Sequence, residues 1–248
     1  MSRRLLPVLA LIMFFALAGI SAAAALEKPE DVEFSTIDGF RLKGTFYPGK
    51  AGAPVVLLLH KLASDRSEYK GLAKALQDKG MNVLAYDARG HGESTKKNGK
   101  DITWQEFSNA DFAGMTKDIE AALGYLHMKK DAAKVPVGIV GASIQSSTGL
   151  TFASKHPEIR ALVMLSPGLD YHAIETIKPM QEYGDRPVFI AASDEDTPSV
   201  EAAKILDSTA RGPRKLEVYF DAGHGAQMFR KVRDLPDKIA IWLATYLK

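Results

Sequence analysis

The chain has 248 residues, 32 of them basic and 30 acidic, and no cysteine. A formal charge of +2 spread through the sequence provides no basic footprint for a nucleic-acid partner, and the lack of cysteine excludes a disulfide framework and a cysteine-linked lipid anchor. The length suits one α/β domain with a large core, and no internal repeat or low-complexity linker suggests a second.

Residues 1–25 read as a secretory signal peptide, and residues 26–248 as the single mature domain. Ser2-Arg3-Arg4 is a short positive region, Leu5 to Ile20 is almost unbroken apolar sequence, and Ser21 to Ala25 offers A-x-A cleavage sites. The apolar stretch is shorter than the ~20 residues that span a bilayer, so no stable membrane span is expected after cleavage. Arg3-Arg4 also partly matches a twin-arginine signal, which leaves both export routes open. Removal of Arg3 and Arg4 takes 32 basic residues to 30, against 30 acidic, so the exported chain is neutral. Its expected destination is the periplasm or the medium.

Val32 to Asp38 and Arg41 to Tyr47 alternate in polarity about Asp38-Gly39, which predicts an N-terminal antiparallel hairpin. Pro54 to Leu59 is a continuous apolar run, as expected of a strand buried on both faces of a parallel sheet. Glu68 to Lys79 follows as an amphipathic helix closed by Gly80, then Asn82 to Tyr86 as a strand. Phe112, Met115, Ile119, Leu123 and Leu126 step by three and four, predicting one long helix from Asp111 to Lys130. Val135 to Val140 reads as a strand and Ile144 to Lys155 as a helix. Arg160 to Leu165, Pro187 to Ala192 and Leu216 to Phe220 are further strands, with helices over Pro198 to Ala210 and Met228 to Leu247. This alternation predicts a mostly parallel central sheet with helices on both faces, whose crevice lies at the carboxyl ends of the strands.

Those ends carry the reactive residue types. Gly141-Ala142-Ser143-Ile144-Gln145 is a G-x-S-x-G strand-to-helix elbow with Gln145 in the last glycine position. A serine hydroxyl is a weak nucleophile unless a base lies within hydrogen-bond reach and backbone donors face the developing oxyanion. The loop after Ala192 contains Asp194 and Asp196, and the loop after Phe220 contains His224. The order Ser, Asp, His on successive strand ends is the order of an α/β-hydrolase triad.

Over nearly the whole mature length the chain resembles the α/β-hydrolase superfamily, in particular small bacterial serine esterases and dienelactone-hydrolase-like members. Leu59-His60-x-Leu62 resembles the family's oxyanion loop, Asp87 to Ser94 its D-x-R-G-H-G-x-S loop, Gly141 to Gln145 its elbow and Gly223-His224-Gly225 its histidine turn. The resemblance implies a serine hydrolase that cleaves carboxylic esters through an acyl-enzyme, which with the N-terminal segment and the short cap described below gives a secreted enzyme for small or medium esters. In it Ser143 attacks, His224 transfers the proton, Asp196 orients the ring, and the Leu62 and Ile144 N–H groups hold the oxyanion; Asp194 is the alternative acid. Lys61, where the family has glycine, and Gln145 depart from the pattern.

Only about twenty residues, Ser166 to Arg186, lie where lids are normally inserted, which predicts a minimal cap and a shallow pocket; Tyr171, Met180 and Tyr183 are candidates either for its rim or for plain packing. His60 and His91 are expected to brace loops, and Glu93, Asp118 and Glu120 to lie on a solvated surface. No metal-ligand spacing or dinucleotide fingerprint occurs, so no cofactor and no metal is expected. The same triad would serve a serine peptidase, thioesterase or acyltransferase, and the fold also hosts non-catalytic binding proteins. Oligomeric state stays open.

Overall fold

A computed structural model describes residues 27–129 and 135–248. The expected signal peptide and the predicted helix end at Lys130 lie outside the described residues.

The chain begins with β1 (Glu30–Ser35), β2 (Phe40–Tyr47) and β3 (Val55–Leu59). A 3-10 turn at Arg66–Tyr69 enters α1 (Lys70–Asp78), followed by β4 (Asn82–Tyr86). The two-residue strands β5 (Lys96–Lys97) and β6 (Lys100–Asp101) precede α2 (Asn109–Ala113) and α3 (Thr116–Met128). Next come β7 (Val137–Ala142), α4 (Ile144–Lys155) and β8 (Ile159–Leu165). The small ribbon β9 (Asp170–Tyr171) and β10 (Ile174–Glu175) leads into α5 (Ile177–Tyr183) and β11 (Val188–Ser193). The last elements are α6 (Thr197–Thr209), β12 (Arg214–Tyr219), α7 (Met228–Lys231) and α8 (Leu235–Tyr246).

The main sheet runs β12-β11-β8-β7-β3-β4-β2-β5-β6, with β1 paired to β2. From β4 to β12 the neighbours are parallel, while β1, β2, β5 and β6 form an antiparallel end. The expected architecture is therefore the observed one. The apolar run of β3 splits by strand periodicity: Val55, Leu57 and Leu59 join the core under α3, α4 and α6, and Val56 and Leu58 join the core under α1 and α8.

Two predicted helices are each divided. The Asp111 to Lys130 helix breaks around Gly114, because Arg89 passes there: a Cβ on Gly114 would lie 2.7 Å from Arg89 Nη1. Arg89 is buried and forms ion pairs with Asp118 (2.8 Å) and Asp38 (2.9 Å). Asp118 is consequently a core residue, a correction of the surface expectation; a 3.6-residue period alone does not reveal a carboxylate facing a guanidinium inside. The Met228 to Leu247 helix breaks between Lys231 and Leu235, where Pro236, which has no N–H for a continuing helix, sits in the first turn of α8.

At Gly141 the backbones of β7 and α4 approach closely. A Cβ there would lie 2.5 Å from the Gln145 carbonyl oxygen and 2.7 Å from Ser146 Cα, both backbone atoms that cannot rotate away. Gly141→Ala should destabilise the fold by about 3 kcal/mol, measured as a fall in the urea midpoint at unchanged m-value.

Candidate active site

Ser143 joins β7 to α4 in a left-handed conformation, φ 56° and ψ −130°. A non-glycine residue held there costs on the order of 1–3 kcal/mol and persists only where its surroundings impose it. The surroundings are visible: Ser143 N–H donates to the Leu165 carbonyl (2.8 Å), and the Ser143 carbonyl accepts both the Ser146 N–H (2.9 Å) and the Ser146 hydroxyl (2.6 Å). The turn leaves the serine only 8% exposed, at the head of α4, whose first N–H groups have no intrahelical partner.

The two polar loops predicted from sequence do meet. Asp196 Oδ2 lies 2.6 Å from His224 Nδ1. The residues before Asp196 clamp the backbone before His224, one after another. Asp194 accepts the Asp221 N–H (2.8 Å), Ser193 the Ala222 N–H (2.6 Å) and Glu195 the Gly223 N–H (2.6 Å). Asp194 thus holds the loop while Asp196 meets the ring. Hydrogen bonds from Ser193, and then from Gly223, hold the Glu195 carboxyl well below the usual carboxylate range, at about 2. On the far side the His224 N–H donates to Gln227 Oε1 (3.2 Å), and the Gly225 N–H donates to Ser166 Oγ (2.8 Å). Sequence reading missed Ser193 and Glu195; their signal was the unbroken run of side-chain acceptors beside the acid.

The histidine turn packs on the elbow, since a Cβ on Gly225 would lie 3.2 Å from Ala142 Cβ. Among the described residues the Ser143 hydroxyl makes no hydrogen bond to the His224 ring.

The Lys61 backbone is tied from both sides. Its N–H donates to Glu68 Oε1 (3.0 Å), and its carbonyl accepts from His60 Nδ1 (2.8 Å), while the other Glu68 oxygen accepts the Ser64 hydroxyl (2.6 Å). His60 Nε2 in turn accepts the Ala88 N–H (2.9 Å), which fixes the neutral tautomer. His91 donates from Nδ1 to the Arg89 carbonyl (2.8 Å), and its ring meets His60 edge-on and stacks on Trp104. Both histidines brace loops. Burial pushes each down to about 4, with His60 adding to the effect on His91.

Gln145 is buried and leans toward the α2–α3 junction, donating to Met115 Sδ (3.5 Å). Beside it Phe112, Met115, Ile144 and Ile174 form an apolar cluster, joined by Leu62, Phe107 and Tyr171. Tyr171 is therefore at the site, whereas Met180 and Tyr183 are core residues, with the Tyr183 hydroxyl spent on the Pro187 carbonyl (3.0 Å). The ribbon that carries Tyr171 turns at His172 and Ala173, with φ 49° and 63°, and His172 stacks on Phe112 at 4.0 Å. Among the described residues no cluster of His, Asp and Glu is arranged to hold a metal, and no helix is long and apolar enough to cross a membrane.

A parallel sheet with a serine elbow at the end of β7, an Asp–His pair beyond β11 and β12, and an antiparallel N-terminal end defines the class of α/β-hydrolases. The chain belongs to the family described as serine aminopeptidase, S33, which matches residues 51–219. Among solved structures it is similar to a dienelactone hydrolase from Anabaena variabilis (TM-score 0.71, 18% identity, 90% of this chain and 100% of that one). It is also similar to the Pyrococcus furiosus esterase Pf2001 (TM-score 0.72, 20% identity, 89% and 93%). At these identities the likeness is one of fold. Among curated proteins it is similar to the thiohydrolase aneE of Aspergillus aculeatus, 23% identical over 82% of this chain and 62% of that protein. The sn-1-specific diacylglycerol lipase ABHD11 of Mus musculus is 30% identical over 45% of this chain and 31% of that protein. The chain thus spans less than two thirds of these curated relatives, among which thiohydrolases and diacylglycerol lipases recur.

The buried histidines set an acid limit on stability. An unfolded histidine takes up its proton near 6.5, so the stability that neutral His60 and His91 contribute is complete above that pH and is lost as pH falls through about 4. Asp118 acts in the opposite sense, because burial, against Arg89, raises it to about 6 and acid then favours its folded form. Urea unfolding between pH 6.5 and 4 should show His91→Phe losing stability less steeply than wild type, by about 1.4 kcal/mol per pH unit.

Proposed function

We propose that the chain is an exported serine hydrolase that cleaves small or medium carboxylic esters through an acyl-enzyme. One observation carries the reading: a serine held in a strained elbow, against which a histidine turn packs with Asp196 2.6 Å from its ring.

In this reading Ser143 Oγ attacks the ester carbonyl carbon while His224 Nε2 takes the hydroxyl proton, and Asp196 holds the Nδ1–H and stabilises the imidazolium. The Ile144 and Leu62 N–H groups receive the oxyanion. Collapse of the tetrahedral intermediate breaks the bond to the leaving alcohol, which departs with the proton from His224. A water, deprotonated by the same ring, then attacks the acyl carbonyl and restores Ser143. The braced Lys61 backbone supports an intact oxyanion loop despite the missing glycine, and the short cap with its apolar cluster supports a modest acyl group. Thioester cleavage is the second reading, favoured by the thiohydrolase relative aligned over 82% of this chain. Export rests on residues 1–25, and N-terminal sequencing of the secreted protein should begin just after the alanine run ending at Ala25.

A fluorophosphonate probe should label the wild type on Ser143, and Ser143→Ala should abolish labelling and lower p-nitrophenyl butyrate turnover by at least about 10⁴-fold. A folded, unlabelled wild type would refute the proposal. Glu195→Ala should lower kcat about tenfold by freeing the Gly223 N–H, the loss of one charge-assisted hydrogen bond. Glu195→Gln, which can still accept that bond, should recover most of the rate.

A further inference from the structure

Two unlike surroundings border the Ser143 elbow and the histidine turn, the first through Ile144 and the second through the segment after His224. On the α3 and α4 side of the sheet lies the apolar cluster of Phe112, Met115, Ile144 and Ile174. On the side of α1 and α8, between the oxyanion loop and the segment after His224, lies a cleft of about 400 Å³. Its polar lining is Lys61, Ser64, Ser67, Glu68, Gln227 and Arg230.

The cleft is positive where it is open. Glu68 is its one acid, and its two oxygens are already taken by the Lys61 N–H and the Ser64 hydroxyl. Among the described residues neither the Lys61 ammonium nor the Arg230 guanidinium is in an ion pair. Two cations therefore face one satisfied carboxylate, with the Ser67 hydroxyl and the Gln227 amide beside them as neutral groups. The cleft also adjoins the catalytic turn. Lys61 Cδ would be 3.6 Å from a Cβ on Gly225, and Gln227 accepts the His224 N–H. A lysine where a glycine would suffice for the loop thus runs its side chain alongside the histidine turn.

We infer that this cleft is an anion subsite, and that the substrate is an ester pairing an apolar acyl group with a leaving group that carries a carboxylate or phosphate. The acyl chain lies on the Phe112 and Met115 side, and the anionic group of the leaving alcohol meets Lys61 and Arg230. The second statement rests on the serine-hydrolase reading above; the first does not.

Two measurements separate them. Inorganic phosphate titrated into the full-length protein should shift the Ser64 and Gln227 amide resonances saturably, and Lys61→Met/Arg230→Gln should weaken that binding at least tenfold. In kinetics, 4-(butyryloxy)benzoate and 4-(butyryloxy)phenyl phosphate are compared with neutral methyl 4-(butyryloxy)benzoate. The wild type should favour an anionic ester about tenfold in kcat/KM, the scale of one charge-assisted contact, and the faster of the two identifies the anion. In the double variant the ratio should fall to about one. Phosphate binding indifferent to both substitutions overturns the subsite, and a wild-type ratio of one overturns the substrate assignment. Phosphate binding without hydrolysis of any ester overturns the hydrolase reading and leaves the subsite standing. Arg230→Gln alone, on an exposed side chain, gives the same test if the double variant does not fold.

Discussion

The close approach of β7 and α4 is the constraint on which the site depends. With 2.5 Å between a notional Cβ on Gly141 and the Gln145 carbonyl oxygen, the chain has room to reverse only by forcing the next residue but one into a left-handed conformation. Ser143 takes that conformation and is paid for by the bonds around it: its N–H to Leu165, its carbonyl to Ser146. A serine in an ordinary helix or strand would be flanked by neighbouring side chains. At this turn it stands at a helix N-terminus, where unpartnered N–H groups and the partial positive charge of the helix coincide.

The remaining loops are organised as supports for that turn. Four consecutive residues, Ser193 to Asp196, engage four consecutive residues, Asp221 to His224, so the imidazole is held through its backbone as well as through its ring. The loop after β3 is braced from the other direction, by Glu68 on the Lys61 N–H and by His60 between the Lys61 carbonyl and the Ala88 N–H. Farther out, Arg89 ties the β1–β2 turn to α3 through Asp38 and Asp118, and its passage breaks the helix at Gly114. That break allows Phe112 and Met115 to turn toward the elbow and build the apolar wall. A buried ion pair is weak evidence of net stability; its consequence here is geometric.

The two sides of the elbow differ in chemistry because they belong to different faces of the sheet. The face under α3 and α4 contributes aromatic and aliphatic side chains to the rim, and the face under α1 and α8 contributes the loop after β3 and the segment after His224, with their charges. A chain that alternates strand and helix sends its loops to both faces in turn, so a site at the sheet's edge inherits two environments.

Much of this was legible without coordinates. The strand-helix alternation, the apolar run of β3, the elbow and the histidine turn are local patterns, and local patterns carry the backbone periods of 2 and 3.6 that define strands and helices. The order of strands, the break at Gly114 and the burial of Asp118 were not legible, because each is decided by a partner far away in the chain; for Tyr171, Met180 and Tyr183 the choice between rim and core stayed open for the same reason. The resemblance pointed to Asp196 on the imidazole with Asp194 as the alternative, and the path of the Asp221 to His224 backbone brings Asp196 to the ring and Asp194 to the Asp221 N–H. The sequence by itself determined which elements form and which chemical groups sit at their ends, since those depend on neighbours. Tertiary structure alone decided which of those groups meet, since hydrogen bonds and ion pairs act over a few ångströms in space, whatever the separation along the chain.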